Sequence, residues 1–337
     1  MPTFSSVFAQ RRERAAAACR AAGVAALLVG PGSDLAYLAG YRIHTSERLS
    51  CLVITARGAT LVVPELEAPR ARAAAPDLAL ETWQETEDPI ACVSGLIDGD
   101  GAVLVGDQLW ATFVLRAQRA MPARRFDVAS LITRDLRAVK DSGEIAALRA
   151  VGAAADRAFA RIRTASFEGR RERDIADDLA AALKAEGHDE VAFTIVASGP
   201  NGASPHHATG ERTDVDREVR LVHDVVRRAQ EAGYRAAREG ARAASVDDAS
   251  RAVIEEAGYG RWFVHRTGHG IGLDGHEHPY LVRGNDERLS TGMAFSIEPG
   301  IYLPGRFGVR IEDIAFLDAS GAAQPLNAAD HALAIVV

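Results

Sequence analysis

The pattern of apolar residues changes near Ser130, and this change constrains the fold more than any other feature of the sequence. Upstream, short helical and strand patterns alternate, and residues 24–29 are apolar over a length that suits a buried strand. Downstream, long helical patterns precede strand-like runs that are separated by glycine-rich turns. The chain is therefore predicted to be an α/β protein with one domain at 1–135 and a second domain, a mixed sheet flanked by helices, at 136–337.

Several elements can be placed by their periodicity alone. In the first domain, residues 51–55 and 60–63 are predicted to form a hairpin, and residues 5–22 a helix that Gly23 ends. In the second domain, a helix is predicted from residue 136 onward, with further helices at 172–185, 221–238 and 246–257. Strands are predicted at 193–197, 294–297 and 309–316.

Composition excludes several functional classes. The 337 residues carry a net charge of −7 and are 47% hydrophobic, which is typical of a globular chain and not of a disordered one. The basic residues are scattered arginines with only two lysines, so we expect no nucleic-acid partner. Cys19, Cys51 and Cys92 match no metal or redox spacing, and no apolar run reaches the ~20 residues that span a bilayer. A cytoplasmic protein without a membrane partner is predicted.

Histidines are concentrated in three short segments rich in glycine and proline. Six of the ten lie there: His206, His207, His265, His269, His276 and His278. Three glycines in residues 268–272 argue against a helix, and Leu273 excludes a GxGxxG loop. Glycines at such positions let the backbone approach a ligand or a neighbouring strand closely. We therefore expect His269 to point into a cavity.

Carboxylates follow the predicted strands of the same region. Glu298 comes directly after the strand at 294–297, and alternation along 309–316 puts Arg310 and Glu312 on one face. A carboxylate next to isoleucines in a strand is costly to bury unless it is paired or bound to a metal. On spacing alone, a salt bridge or a solvated edge strand is an equally good interpretation. One imidazole with two carboxylates suits manganese, cobalt or iron better than a structural zinc.

Four motifs occur in an order that resembles one known family. They are Ser198-Gly199-Pro200-Asn201 with Pro205-His206; His269 followed by His276-Glu277 and Pro279; Ile297-Glu298-Pro299-Gly300; and Arg310-Ile311-Glu312-Asp313. Together they resemble the creatinase and Xaa-Pro peptidase family of metallopeptidases, which have the pita-bread fold. The resemblance covers the whole chain, and it implies a creatinase-type N-terminal domain followed by a pita-bread catalytic domain.

The resemblance implies a function and a set of site residues. By motif, His269, Glu298 and Glu312 would be metal ligands, with Glu312 able to bridge two divalent cations. His206 and His276 would assist catalysis, and Arg310 would fix the carboxylates. The family's usual chemistry is hydrolysis of the bond before proline in short peptides, as an Xaa-Pro dipeptidase or aminopeptidase. Manganese is the expected ion, with cobalt, zinc or iron as alternatives, and a homodimer is the expected assembly.

One departure from the family pattern stands out. Between Thr213 and Asp214, where the family has strands that carry two aspartate ligands, about 30 to 40 family residues are missing. Asp214 and Asp216 lack an apolar strand context, so we assign them no ligand role. Either the gene product contains a further segment here, which the intact flanking motifs favour, or the chain is a shortened relative that has lost its metal chemistry.

Three functions are consistent with these observations. The first is the dimetal peptidase. The second is a metal-free hydrolase of the creatinase type, which the cluster of two carboxylates disfavours. The third is a non-catalytic binding protein with a degraded metal site. For the chain with its gap, we expect at most one weakly bound ion, because the remaining ligands carry a net charge of −2.

Overall fold

The computed structural model describes residues 4–206 and 218–334, and the chain divides into two compact units, Met1–Arg137 and Ala138–Val337. The α-helices are α1 (Phe4–Ala21), α2 (Ser33–Ala39), α3 (Ala68–Ala74), α4 (Pro89–Gly95), α5 (Ala111–Ala120), α6 (Ser130–Ala138), α7 (Ser142–Ile162), α8 (Glu172–Ala185), α9 (Val219–Ala236) and α10 (Ala243–Glu256). The strands are β1 (Val24–Val29), β2 (Cys51–Thr55), β3 (Gly58–Pro64), β4 (Ala79–Trp83), β5 (Ala102–Val105), β6 (Phe126–Val128), β7 (Gly268–Gly270), β8 (Glu277–Leu281), β9 (Ala294–Ile297), β10 (Gly300–Leu303), β11 (Phe307–Arg310), β12 (Asp313–Leu317) and β13 (Ala323–Pro325).

The first unit is built on a six-stranded mixed sheet with the order β4-β3-β2-β1-β5-β6. The pairs β1–β2 and β2–β3 are antiparallel, whereas β3–β4, β1–β5 and β5–β6 are parallel. The predicted strand at 24–29 and the predicted hairpin are both present. Because parallel strands need crossover connections, helices alternate with strands through this unit.

Both faces of that sheet are buried. Leu27 and Val29 of β1 belong to a hydrophobic cluster with α1 and α2, whereas Ala26 and Leu28 belong to a cluster with α4 and α5. This division follows from the two-residue period of a strand. The unit is therefore a sheet between two layers of helices.

The cysteines of this unit are free thiols. Cys19 and Cys51 are buried and Cys92 is half-buried. Burial raises the pKa of Cys19 to about 11 and that of Cys51 to about 12, so both thiols stay protonated near neutral pH. They act as small apolar side chains.

The second unit contains a five-stranded sheet with the order β13-β12-β9-β7-β8 and a separate pair, β10–β11. Helix α9 buries Val222, Val225, Val226 and Ala229, one helical face, against the strands β10 and β11. Helix α10 contributes Val246 to a second cluster with residues of β9 and β12. These two helices hold the strands that carry the candidate site.

The long helix that we predicted from residue 136 onward is interrupted. Helix α6 ends at Ala138, and α7 starts at Ser142 after a capping box. In that box the Asp141 carboxylate accepts a hydrogen bond from the Glu144 backbone N–H, and the Glu144 carboxylate accepts one from the Asp141 N–H, each at 2.9 Å. The D-x-x-E signal was visible in the sequence and marks a helix start.

Two strand predictions need correction. Residues 193–197 form no strand, and Phe193 is 69% exposed. A strand needs a neighbouring backbone, and no strand in the described parts of the chain pairs with this segment. The predicted strand at 309–316 is split into β11 and β12, which join different sheets, so that Ile311 and Glu312 lie between them. Within the described ranges, no helix combines the length and apolar character needed to cross a bilayer.

Candidate metal centre

His269 lies in strand β7, whose backbone packs closely against the neighbouring strands. A Cβ atom on Gly268 would lie 1.9 Å from the Ser296 carbonyl oxygen, and one on Gly270 would lie 2.1 Å from the His278 carbonyl oxygen. Only glycine permits this approach to β9 and β8. The His269 backbone N–H also donates to Ser296 Oγ at 3.0 Å, which fixes the residue between its neighbours.

Three of the predicted site residues converge. His269, Glu298 and Glu312 each offer a ligand atom, and these atoms lie within 4.8 Å of one another. Glu298 follows β9, and its backbone N–H donates to the Thr267 carbonyl oxygen at 2.8 Å. Glu312 comes from the break between β11 and β12. Three segments distant in sequence thus meet at one point, although the role of the three side chains as ligands stays a prediction.

The His269 imidazole is oriented by both of its nitrogens. Nδ1 lies 3.0 Å from the Gly270 carbonyl oxygen, so it carries a proton and leaves Nε2 to face the carboxylates. Nε2 lies 3.0 Å from Glu298 Oε1. Burial lowers the pKa of His269, but the hydrogen bonds to Glu298 and Gly270 and the nearby negative charges outweigh it, so the pKa is raised.

Opposite shifts act on the two carboxylates. Burial raises the pKa of Glu298, but the hydrogen bond from His269, the Arg310 charge and the Ser296 hydroxyl together lower it. Burial and the negative charge of Glu298 raise the pKa of Glu312. This is the behaviour of two carboxylates that share a site without enough positive charge to neutralise both. A cation at this point would remove their repulsion.

Arg310 supplies part of that positive charge. Its guanidinium lies 3.7 Å from Glu298 Oε2 and 3.4 Å from Glu312 Oε2. Tyr302 also interacts with the guanidinium, and the Tyr302 hydroxyl lies 3.1 Å from His265 Nε2. Arg310 was predicted at this place from its motif, whereas Tyr302, which lies four residues after Glu298 in β10, was not predicted.

The two predicted catalytic histidines lie on the exposed side. The rings of His276 and His269 are 4.0 Å apart between centroids. Burial and the charges of His269 and Arg266 lower the pKa of His276, and the charge of His206 contributes as well. His206 therefore lies within electrostatic range of His276. His207, Asp214 and Asp216 lie outside the described residues.

Two buried acidic residues of the second unit were assigned no role from the sequence, although Glu277 stands in the His276-Glu277 motif. Glu277 pairs with Lys140 at 2.5 Å, next to His276. Glu172 of α8 accepts hydrogen bonds from the Ser198 backbone N–H at 2.6 Å and from the Asn201 amide at 3.1 Å. The Ser198–Asn201 motif is therefore held in place by Glu172. Periodicity in the sequence could not reveal either role, because the partner of each acidic residue lies far away along the chain.

The donor set fits a hard divalent cation. One imidazole nitrogen and carboxylate oxygens are suitable ligands for manganese, iron or cobalt, and His269 and Glu298 are buried whereas Glu312 is partly exposed. Such a half-open site would leave room for water and substrate beside a bound ion. This donor set in an α/β fold is the one expected of a metal-dependent hydrolase.

Comparison with known proteins identifies the family. Residues 11–139 match the Creatinase/Prolidase N-terminal domain, and residues 146–219 and 210–318 match Metallopeptidase family M24. The chain belongs to metallopeptidase family M24, and its predicted fold class, a creatinase-type domain followed by a pita-bread domain, is confirmed.

Individual relatives agree over nearly the whole length. The probable dipeptidase PepE of Mycobacterium tuberculosis is 43% identical over 98% of this chain and 97% of the relative. The Xaa-Pro dipeptidase of Lactobacillus helveticus is 33% identical over 85% of this chain and 88% of the relative. Among solved structures, dipeptidase PepE from Mycobacterium ulcerans has a TM-score of 0.93 at 40% identity, covering 100% of both chains. A prolidase from Thermococcus sibiricus has a TM-score of 0.88 at 30% identity, covering 99% of each.

These alignments also bear on chain length. The alignment with the Mycobacterium tuberculosis relative extends over 367 positions, whereas this chain has 337 residues, so at least 30 of those positions have no residue here. The family M24 match is divided into two segments that overlap at residues 210–219.

Proposed function

We propose that this chain is a metal-dependent peptidase that hydrolyses the bond before proline in short peptides. The observation that carries the proposal is the convergence of His269, Glu298 and Glu312 in a family M24 fold. The names of the relatives, Xaa-Pro dipeptidase and prolidase, support proline as the residue after the cleaved bond.

In this proposal His269 Nε2 and the carboxylates of Glu298 and Glu312 would hold the cation. A bound divalent ion supplies a Lewis acid for the scissile carbonyl and an activated water. Arg310 keeps the two carboxylates side by side when no ion is present. The lowered pKa of His276 keeps its imidazole neutral near pH 7. A neutral imidazole beside the site can accept a proton from the attacking water and pass it to the leaving amine nitrogen, with His206 nearby to assist.

We propose manganese as the ion, with cobalt, zinc or iron as alternatives. The described ligands carry a net charge of −2, which balances one divalent cation and not two. We infer that the missing family residues lie between Thr213 and Asp214, a position outside the described residues. A chain without them binds at most one ion weakly. We further propose that the protein is a cytoplasmic homodimer. The free thiols of the first unit support the reducing compartment.

The test is a manganese titration of the purified chain followed by electron paramagnetic resonance, with hydrolysis of an Xaa-Pro dipeptide measured alongside. We expect saturable binding that raises the melting temperature. His276→Ala should bind manganese as the wild type does yet lose most turnover, because His276 is not a ligand.

Other outcomes would identify the alternatives. An intact mass near 35.9 kDa supports the shortened chain, and a mass several kDa higher supports a further segment in the gene product. Turnover without bound metal would favour the creatinase-type hydrolase. Absence of both turnover and manganese binding in the full gene product would contradict the peptidase proposal and favour a binding protein.

A further inference from the structure

Glu312 lies in a break between strands, so neither sheet fixes its backbone directly. On its N-terminal side, β11 ends at Arg310, which pairs with Gly300 of β10. On its C-terminal side, β12 begins at Asp313, which pairs with Ile297 of β9. Two separate sheets thus meet at Glu312. The direction of its side chain depends on how firmly the flanking residues are held.

Asp313 is held by side chains from two other parts of the second unit. Its buried carboxylate accepts a hydrogen bond from Gln230 Nε2 of α9 at 3.0 Å. It also accepts one from Asn327 Nδ2, and it lies 2.8 Å from His331 Nε2. A buried carboxylate with three partners is well satisfied and resists displacement.

The segment Leu326–His331, called here the C-terminal strap, makes most of these contacts. It follows β13, and it continues along β12 past the last residues of the ladder. The Leu326 N–H donates to the Ile314 carbonyl oxygen at 2.7 Å, and Asn327 Oδ1 accepts from the Ile314 N–H at 2.8 Å. Asn327 thus binds the backbone of Ile314 and the carboxylate of Asp313 with one amide group.

The strap adds little to the hydrophobic core. Leu326 is buried, but residues 327–334 are half-buried or exposed. The Ala328 N–H donates to Asp156 Oδ2 of α7 at 2.6 Å, which anchors the strap at a second point. Its hydrogen bonds are therefore concentrated on the two residues that directly follow Glu312.

We propose that the C-terminal strap positions Glu312 for metal binding, with Asn327 and His331 as the positioning residues. The inference rests on the proposed function, because it takes Glu312 as a ligand. When the strap is detached, Asp313 loses two of its partners and the backbone at Glu312 can move. The carboxylate of Glu312 then no longer faces His269 and Glu298. Loss of partners that orient a ligand typically weakens metal binding about 10- to 100-fold.

The test compares manganese affinity with the stability of the metal-free chain. The variants are Asn327→Ala, His331→Ala and His331→Gln. The matched control is Asp330→Ala, because the Asp330 carboxylate also lies in the strap but faces the Ala332 N–H and Arg163. Manganese binding is measured by electron paramagnetic resonance, and stability by the urea midpoint without metal. We expect about tenfold weaker manganese binding in both alanine variants and recovery in His331→Gln, which keeps a donor. The control should bind as the wild type does.

The results distinguish failure of the positioning role from failure of the proposed function. Unchanged manganese affinity in Asn327→Ala and His331→Ala would overturn the positioning role, as would an equal loss in Asp330→Ala. If Asn327→Ala fails to fold, the His331 pair decides the outcome alone. If the wild type itself binds no manganese, the proposed function fails and the inference fails with it. If the wild type binds and the variants bind equally well, only the inference fails.

Discussion

The ion pair between Lys140 and Glu277 should be among the most sensitive points of the second unit. The side chains are only 2% and 9% exposed, and Lys140 Nζ lies 2.5 Å from Glu277 Oε1. A Cβ atom on Gly272 would lie 2.7 Å from that same oxygen, so the adjoining turn encloses the pair. Glu277→Gln removes one charge and leaves the ammonium group of Lys140 in this enclosed position.

The expected loss of unfolding free energy is a large fraction of the stability of a domain. Breaking a buried ion pair by removing one partner typically costs about 3–5 kcal/mol, because the desolvation of the remaining charge is no longer offset. Domains are stable by only about 5–15 kcal/mol. The double variant Lys140→Met with Glu277→Met removes both charges and should recover most of the loss.

Hydrogen exchange of the β7 and β8 amides, measured by mass spectrometry, reports the free energy of opening of this unit separately from the first. The control is Asp286→Asn, which breaks the exposed pair with Arg242 and should cost less than about 1 kcal/mol. The reasoning is refuted if Glu277→Gln changes the opening free energy no more than Asp286→Asn does. A double variant as unstable as the single one would also refute it.

Three further predictions concern the site and its supports. Because the pKa of His269 is raised, its contribution to the stability of the metal-free chain should be present below about pH 6.5 and be lost as the pH rises through the folded-state pKa. Manganese competes with that proton, so its affinity, measured in a series of titrations, should rise about tenfold per pH unit below the same pKa. Gly268→Ala places a methyl group against the Ser296 carbonyl and should lower the free energy of unfolding by about 1–3 kcal/mol in urea titrations, whereas an unchanged midpoint would show that β9 moves freely. Glu172→Ala leaves the Ser198 N–H without its acceptor, should cost about 1–3 kcal/mol, and should speed hydrogen exchange at that amide; unchanged exchange there would contradict the role assigned to Glu172.

Local patterns were sufficient to predict much of the first unit. The strand at 24–29 and the hairpin were found because both are short apolar runs bounded by turn residues. The short helices α2 and α4 were not predicted. Each has only seven residues, about two turns, which is shorter than the stretch over which helical spacing of apolar residues can be recognised.

The second unit shows where sequence reasoning fails. The segment at 193–197 has a strand composition, but a strand depends on a partner, which composition does not specify. The break at Glu312 was missed because alternation of buried and exposed residues continues through it while the hydrogen-bonding partner changes. The order of the motifs predicted that His269, Glu298 and Glu312 share one site, and in the structure their side chains lie close to one another. The Lys140–Glu277 pair, 137 residues apart, left no local signal.

The proposed function depends above all on His269, Glu298 and Glu312 as ligands of one divalent cation. Crystals of the chain can be soaked in manganese and the diffraction collected at the manganese absorption edge. We expect an anomalous peak within about 2.5 Å of His269 Nε2 and of a carboxylate oxygen from each glutamate. A map without a peak at this point, or with manganese only at sites elsewhere on the chain, would contradict the claim.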